Sequence, residues 1–174
     1  MLEDGSVDEG TARGDFKETA CEIVFNTSMT GYVEILTDPS YAGQGVVMTY
    51  PMIGNYGISR EDFESERLQP SAFIVHELSS DPSNFRCTDT IENLLKEYNI
   101  PCISGVDTRA VVKKLRESGT MRGVLTSDIG DRERLMDVIK SFRQIDLVGS
   151  VTAKQTKVYG EENTGAEIAL MDFG

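Results

Sequence analysis

Three stretches with the apolar spacing of a helix, separated by short apolar runs, most constrain the fold of this chain. Ile91, Leu94, Leu95 and Tyr98 fall at i, i+3, i+4 and i+7, one stripe on a 3.6-residue period. Val111, Val112 and Leu115 make a second stripe, and Leu135, Val138, Ile139 and Phe142 a third. Their ends are marked. Asp89, with Glu92 three residues on, resembles a capping arrangement before the first helix. Asp107 is an N-cap candidate for the second, Gly119 its stop, and Asp131 the cap of the third. Pro101 to Val106 and Gly123 to Thr126 lie between these helices and read as strands.

The first third of the chain is β-rich. Leu2 to Val7 contains Asp4-Gly5, a hairpin turn signal. Glu22-Ile23-Val24-Phe25 reads as a strand and Tyr32 to Leu36 as another extended piece. Pro39 fixes its own φ and pushes Asp38 away from helix, so Asp38-Pro39-Ser40-Tyr41 is a turn. Gly45 to Tyr50 and Ala72 to Val75 read as buried strands. Ser59 to Leu68 reads as a surface excursion with a short helix. Strands followed by helices that alternate with strands predict an α/β layer fold. The predicted sheet is mixed, with about three amphipathic helices.

The tail changes character at Gly149. Residues 150–165 are polar and read as a linker after a folded domain over 1–149. Glu167 to Met171 then reads as a strand, within a terminal piece 166–174. An isolated strand has no partner of its own, so it is expected to belong to a further domain.

Composition narrows the class. Hydrophobic residues are 39% of 174, enough for a core of one domain. The formal charge of −12 disfavours nonspecific binding to phosphate backbones and anionic lipid. The opening Met1-Leu2-Glu3-Asp4 lacks the basic start and apolar run of a secretory leader, and no run approaches the ~20 apolar residues of a membrane span. Cys21, Cys87 and Cys102 are odd in number and widely spaced, which fits a reducing cytoplasm.

No self-sufficient active site stands out. His76 is the only histidine and follows an apolar strand, as a structural histidine does. Cys21 and Cys102 sit in strand-like runs, where cysteine packs as a small hydrophobe. Arg86 beside Cys87 favours its thiolate, but no base is assigned to it. No metal is expected: zinc-ligand spacing is absent, and so are the Walker and dinucleotide glycine patterns. Asp172-Phe173-Gly174 spells a kinase magnesium motif without the rest of the kinase set. Asn26-Thr27-Ser28 is formally a glycosylation acceptor. What remains is a set of polar loops: Asn26 to Tyr32, Asp38 to Tyr41, and Gly54-Asn55-Tyr56-Gly57. Such residues make turns, and they also offer hydroxyls and amides to a neighbouring site.

Those loops carry a resemblance. The run from Glu22 through Asn26-Thr-Ser-Met-Thr-Gly-Tyr to Asp38-Pro-Ser-Tyr41 resembles the signature stretch of the carbamoyl-phosphate synthetase small subunit. Leu2-Glu-Asp-Gly5, Thr49 to Gly57, Ser83-Asn-Phe-Arg86, Gly105-Val-Asp-Thr-Arg109 and Leu115 to Gly119 fit the same family in order. Ala169 to Gly174 resembles the first strand of its class I glutaminase domain. The chain departs from the pattern at Asp8, where the family usually has an aromatic residue, at Arg13, where an apolar residue is common, and at Cys21, where glycine is common.

The resemblance implies a three-layer β/β/α domain of the swivelling kind. It implies a ligase whose small subunit hydrolyses L-glutamine through a cysteine in a C-terminal glutamine amidotransferase domain. A large subunit then uses the ammonia, ATP, magnesium and bicarbonate to make carbamoyl phosphate for arginine and pyrimidine biosynthesis. The expected partners are that large subunit and the chain's own glutaminase domain, in the cytoplasm. Ser40 is the one residue the resemblance places near bound L-glutamine. It implies no catalytic residue, metal or cofactor held by this chain. Two other readings stay open: a stand-alone binding module on the same fold, and a hydrolase using Cys87 and His76.

Overall fold

The computed structural model describes residues 1–143, 146–160, 165 and 168–173. Contacts divide the chain into two units, 1–143 and 144–174.

In the first unit, eight strands and four helices follow one another. They are β1 (Thr11–Gly14), β2 (Thr19–Asn26), α1 (Tyr32–Thr37), β3 (Gln44–Met48), β4 (Met52–Ile53), β5 (Ala72–Ile74), β6 (Glu77–Leu78), α2 (Ile91–Glu97), β7 (Pro101–Ser104), α3 (Thr108–Ser118), β8 (Met121–Leu125) and α4 (Arg132–Ser141). Single 3-10 turns occupy Pro39–Tyr41 and Arg60–Asp62. Six strands form one mixed sheet in the order β1-β7-β5-β3-β2-β8. The four central strands are parallel, and the two edge strands, β1 and β8, run antiparallel to their neighbours. β4 and β6 pair separately as a short parallel ribbon.

Strand alternation sorts the core onto two faces. On one face Val46 and Met48 of β3, Phe73 of β5 and Cys102 of β7 pack with Tyr32, Val33 and Leu36 of α1 and Leu94 and Leu95 of α2. Ile53 and Leu78 of the ribbon join that cluster. Farther along the same face, Val124 of β8 packs with Leu135 and Ile139 of α4. On the opposite face Ile23, Val47 and Ile74 pack with Val111, Val112 and Leu115 of α3. With helices on both faces, the central strands carry nearly unbroken apolar runs. β3 is buried from Gly45 to Met48, and β5 throughout. A fully buried leucine or isoleucine, such as Leu135 or Ile139, contributes about 1.5–3 kcal/mol.

The mixed sheet and the three amphipathic helices stand where the sequence puts them. Asp107 and Asp131 cap α3 and α4 by accepting from the Ala110 and Arg134 amides, and Gly119 ends α3 at φ +83°. Four expectations change. Residues 32–36 are helical, not extended. Gly31, at φ +81°, starts a helix whose Tyr32, Val33, Ile35 and Leu36 are all buried, so burial overrides β-branched preference. The cap of α2 is Thr90, whose hydroxyl accepts from the Asn93 amide at 3.2 Å. Asp89 sits one residue earlier and accepts from the Thr90 amide and the Asn93 side chain.

The Asp4-Gly5 turn forms, with Gly5 at φ +82°, but no hairpin follows. Residues 1–3 instead pair along the outer edge of β8, through Glu3 N to Arg122 O and Val124 N to Met1 O, both 2.9 Å. A Glu3–Arg122 ion pair at 3.0 Å reinforces this. That arm covers what would otherwise be an open sheet edge.

In the second unit a short helix, α5 (Leu147–Val151), is capped by Asp146, which accepts from the Gly149 amide at 3.0 Å. Glu167 of the expected terminal strand lies outside the described residues. Ile168 to Met171 carry no strand and are exposed, and among the described residues no strand pairs with them.

Candidate functional site

The fold brings the three polar loops together. Asn26, the last residue of β2, is the junction. Its carbonyl accepts from the Thr49 amide beyond β3, and its side-chain oxygen accepts from the Ser28 amide at 2.7 Å. Its side-chain NH2 donates to the Tyr41 hydroxyl at 2.9 Å. One asparagine therefore fixes the loop after β2 to the residue beside Ser40.

Ser40 lies in the 3-10 turn that follows α1. Asp38 organises this turn: its carboxylate accepts from the Ser40 amide at 2.8 Å while Pro39 presets the backbone. The Tyr41 and Ala42 amides close it onto the Asp38 and Pro39 carbonyls. Ser40 itself is exposed, and its hydroxyl makes no hydrogen bond among the described residues. The turn thus presents a free donor and acceptor on a fixed backbone.

The loop 54–57 is joined to the same region by two tyrosines. The Tyr56 hydroxyl accepts from the Gly31 and Tyr32 amides at 2.6 and 3.1 Å. The Tyr32 hydroxyl donates to the Gly57 carbonyl at 2.8 Å. These contacts satisfy two of the amides that the start of α1 leaves without helical partners. Burial pushes both phenols above their ordinary pKa, so both keep their protons through the physiological range.

The other candidates are not assembled into a site. His76 is exposed, and its Nδ1 lies 2.9 Å from the Val106 carbonyl. The Cys87 thiol donates to the Asp89 carbonyl at 3.4 Å. No hydrogen bond joins His76 to Cys87 among the described residues. Cys21 and Cys102 are fully buried, and burial pushes each thiol up to about 12, which leaves them protonated and inert. Among the described residues no three or more His, Cys, Asp or Glu converge as metal ligands, and no helix is long and apolar enough to cross a membrane.

Sequence reading found the loops but missed the pairings that join them, Asn26 with Tyr41 and Tyr32 with Tyr56. The only local signal was the density of tyrosines next to glycine and proline turns.

The family described as carbamoyl-phosphate synthase small chain, CPSase domain, matches residues 1–125. The carbamoyl phosphate synthase small chain of Clostridium perfringens is 46% identical over 175 residues, covering all of this chain and 49% of that protein. That of Archaeoglobus fulgidus is 48% identical over 178 residues, covering 99% of this chain and 49% of its own length. The Listeria innocua small chain is 43% identical across the whole of this chain and 48% of its own. This chain belongs to the carbamoyl-phosphate synthase small chain family, and it spans about half the length of the relatives it matches.

Proposed function

We propose that this chain is the N-terminal scaffold and docking half of a glutamine-hydrolysing carbamoyl-phosphate synthetase small subunit. The observation that carries this is identity of 43–48% along essentially the whole chain to small chains twice as long. In this reading the glutaminase cysteine lies in the other half of the subunit. Residues 1–143 hold that half and a large subunit in register. ATP and magnesium belong to the large subunit's chemistry, and the product feeds arginine and pyrimidine synthesis in the cytoplasm.

Ser40 is assigned to the glutamine site. Its support is a free, exposed hydroxyl on a turn fixed by Asp38 and Pro39, held against Asn26 through Tyr41. A serine hydroxyl so placed donates to a carboxylate without reorganising its backbone.

Two measurements test the reading. Calorimetric titration of the 174-residue chain against the large subunit is expected to show one-to-one binding. Absence of binding by the folded chain removes the docking role. In the full-length small subunit with its partner, Ser40→Ala is expected to raise the KM for glutamine by about ten-fold, the loss of one hydrogen bond to a charged group. Ammonia-dependent synthesis is expected to stay unchanged. An unchanged glutamine KM removes Ser40 from the site.

A further inference from the structure

Beside α3, between the arm of residues 7–10 and the turn after β8, lies a cavity of about 410 Å³. Its lining is largely apolar: Ala12, Phe16 and Ile103 reach solvent there, over the buried Ile23, Val47 and Ile74 of the central strands. Val111 of α3 forms a wall. The volume lies within the ~300–1,000 Å³ that small-molecule sites occupy.

The rim differs from this apolar lining. Asp8 and Glu9 line it on one side, Thr126 and Ser127 on the other. Among the described residues no lysine or arginine lines the cavity. The Met1 ammonium, also at the lining, donates to the Val124 carbonyl at 2.9 Å, and its charge is set against Asp8, which leaves Glu9, among the described residues, as the unpaired charge at the mouth. Asp8 faces Lys114 at 3.8 Å, whereas Glu9 is exposed and has no ion-pair partner among the described residues.

The accessible apolar lining at Ala12, Phe16 and Ile103 gains from displacing water with an apolar body. A carboxylate at the mouth gains from a cation and repels an anion. The chain's net charge of −12 adds to the same preference. From this geometry we propose that the cavity is a binding site for a compact amphipathic cation, an ammonium or guanidinium on an apolar cage or branched body. The cation sits at Glu9 and the apolar body against Ala12, Phe16 and Ile103. The site is separate from the Ser40 loops and does not depend on the function proposed for them.

The test uses two probes with one body and opposite charges, 1-adamantylamine and 1-adamantanecarboxylate. Each is titrated at pH 7 into the 15N-labelled 174-residue chain. The amine is expected to give saturable amide shifts at Gly10, Ala12, Gly123 and Ile129. The carboxylate is expected to bind about five-fold more weakly, the upper end of the scale of exposed charge pairs. Ala12 and Ser127 are exposed lining residues, so Ala12→Trp and Ser127→Trp narrow the mouth from opposite sides without replacing a core residue. Either variant that keeps the wild-type spectrum elsewhere is expected to lose amine binding, and Glu9→Gln to bring amine and carboxylate affinities closer together. No saturable shift with the amine, equal binding of the two probes, or amine binding that survives both tryptophans would overturn the proposal.

Discussion

The rings of Tyr32 and Tyr56 stack with centroids 4.1 Å apart and planes 18° from parallel, and each hydroxyl reaches the other's backbone neighbourhood. The pair joins the first turn of α1 to the loop 54–57, two of the three loops around the candidate site. Tyr56→Phe keeps the stack and removes the acceptor of the Gly31 and Tyr32 amides. It is expected to cost about 1–3 kcal/mol. Tyr32→Phe, which frees the Gly57 carbonyl and removes the long 3.3 Å acceptor of the Tyr56 amide, is expected to cost less. Urea unfolding of both single variants and the double variant measures this, and full additivity would show that the two tyrosines do not act as a unit.

Thr37 is a fully buried polar residue at the end of α1. Its hydroxyl donates to the Val33 carbonyl at 2.9 Å and accepts from the Glu64 amide at 2.9 Å. Its carbonyl takes the Ser65 hydroxyl. Thr37→Val keeps the shape and strands the Glu64 amide, with an expected loss of about 1–3 kcal/mol. Amide exchange at Glu64 is expected to accelerate in the variant. Unchanged protection there would mean that the hydroxyl does not hold the 59–68 excursion.

Glu18 ties the start of β2 to α4. Arg134 grips its carboxylate with two bonds, at 2.7 and 2.8 Å, and the Thr126 hydroxyl adds a third. The Arg134 bonds first, then Thr126, hold its pKa down to about 2 from an ordinary 4.5. A depressed carboxylate stabilises the folded state fully above its unfolded pKa. That contribution is lost as pH falls from 4.5 through about 2. Glu18→Gln is therefore expected to be slightly less stable than wild type at pH 7 and nearly equal to it at pH 2. A gap in unfolding midpoint that stays constant over this window would contradict the assignment.

The three cysteines are expected to differ in reactivity. Cys21 and Cys102 are fully buried with thiols pushed up to about 12, whereas Cys87 is half-buried. Under native conditions at pH 8, a thiol reagent is expected to modify one cysteine per chain, identified as Cys87 by mass spectrometry. The other two are expected to react only on unfolding. Fast labelling of Cys21 would show that the packing around β2 opens readily.

Local pattern carried much of the fold. The stripes at Ile91–Tyr98, Val111–Leu115 and Leu135–Phe142 marked the helices because one buried face repeats every 3.6 residues whatever it packs against. Asp107, Asp131 and Gly119 marked ends because capping is settled within three residues. Tyr32 to Leu36 could not be read this way. A single turn with both sides buried has no period, so only the surrounding cluster decides between helix and strand.

The sequence by itself determined the family, the α/β class, the three amphipathic helices and the loops that carry Asn26, Ser40 and Tyr56, because each rests on residues close together in the chain. Only the tertiary structure decided the strand order, the pairing of residues 1–3 with β8, the stacking of Tyr32 on Tyr56 across 24 positions, and the cavity beside α3. Those features depend on which distant segments share a face or an edge, and that is fixed by burial of the whole sheet, not by any local run of residues.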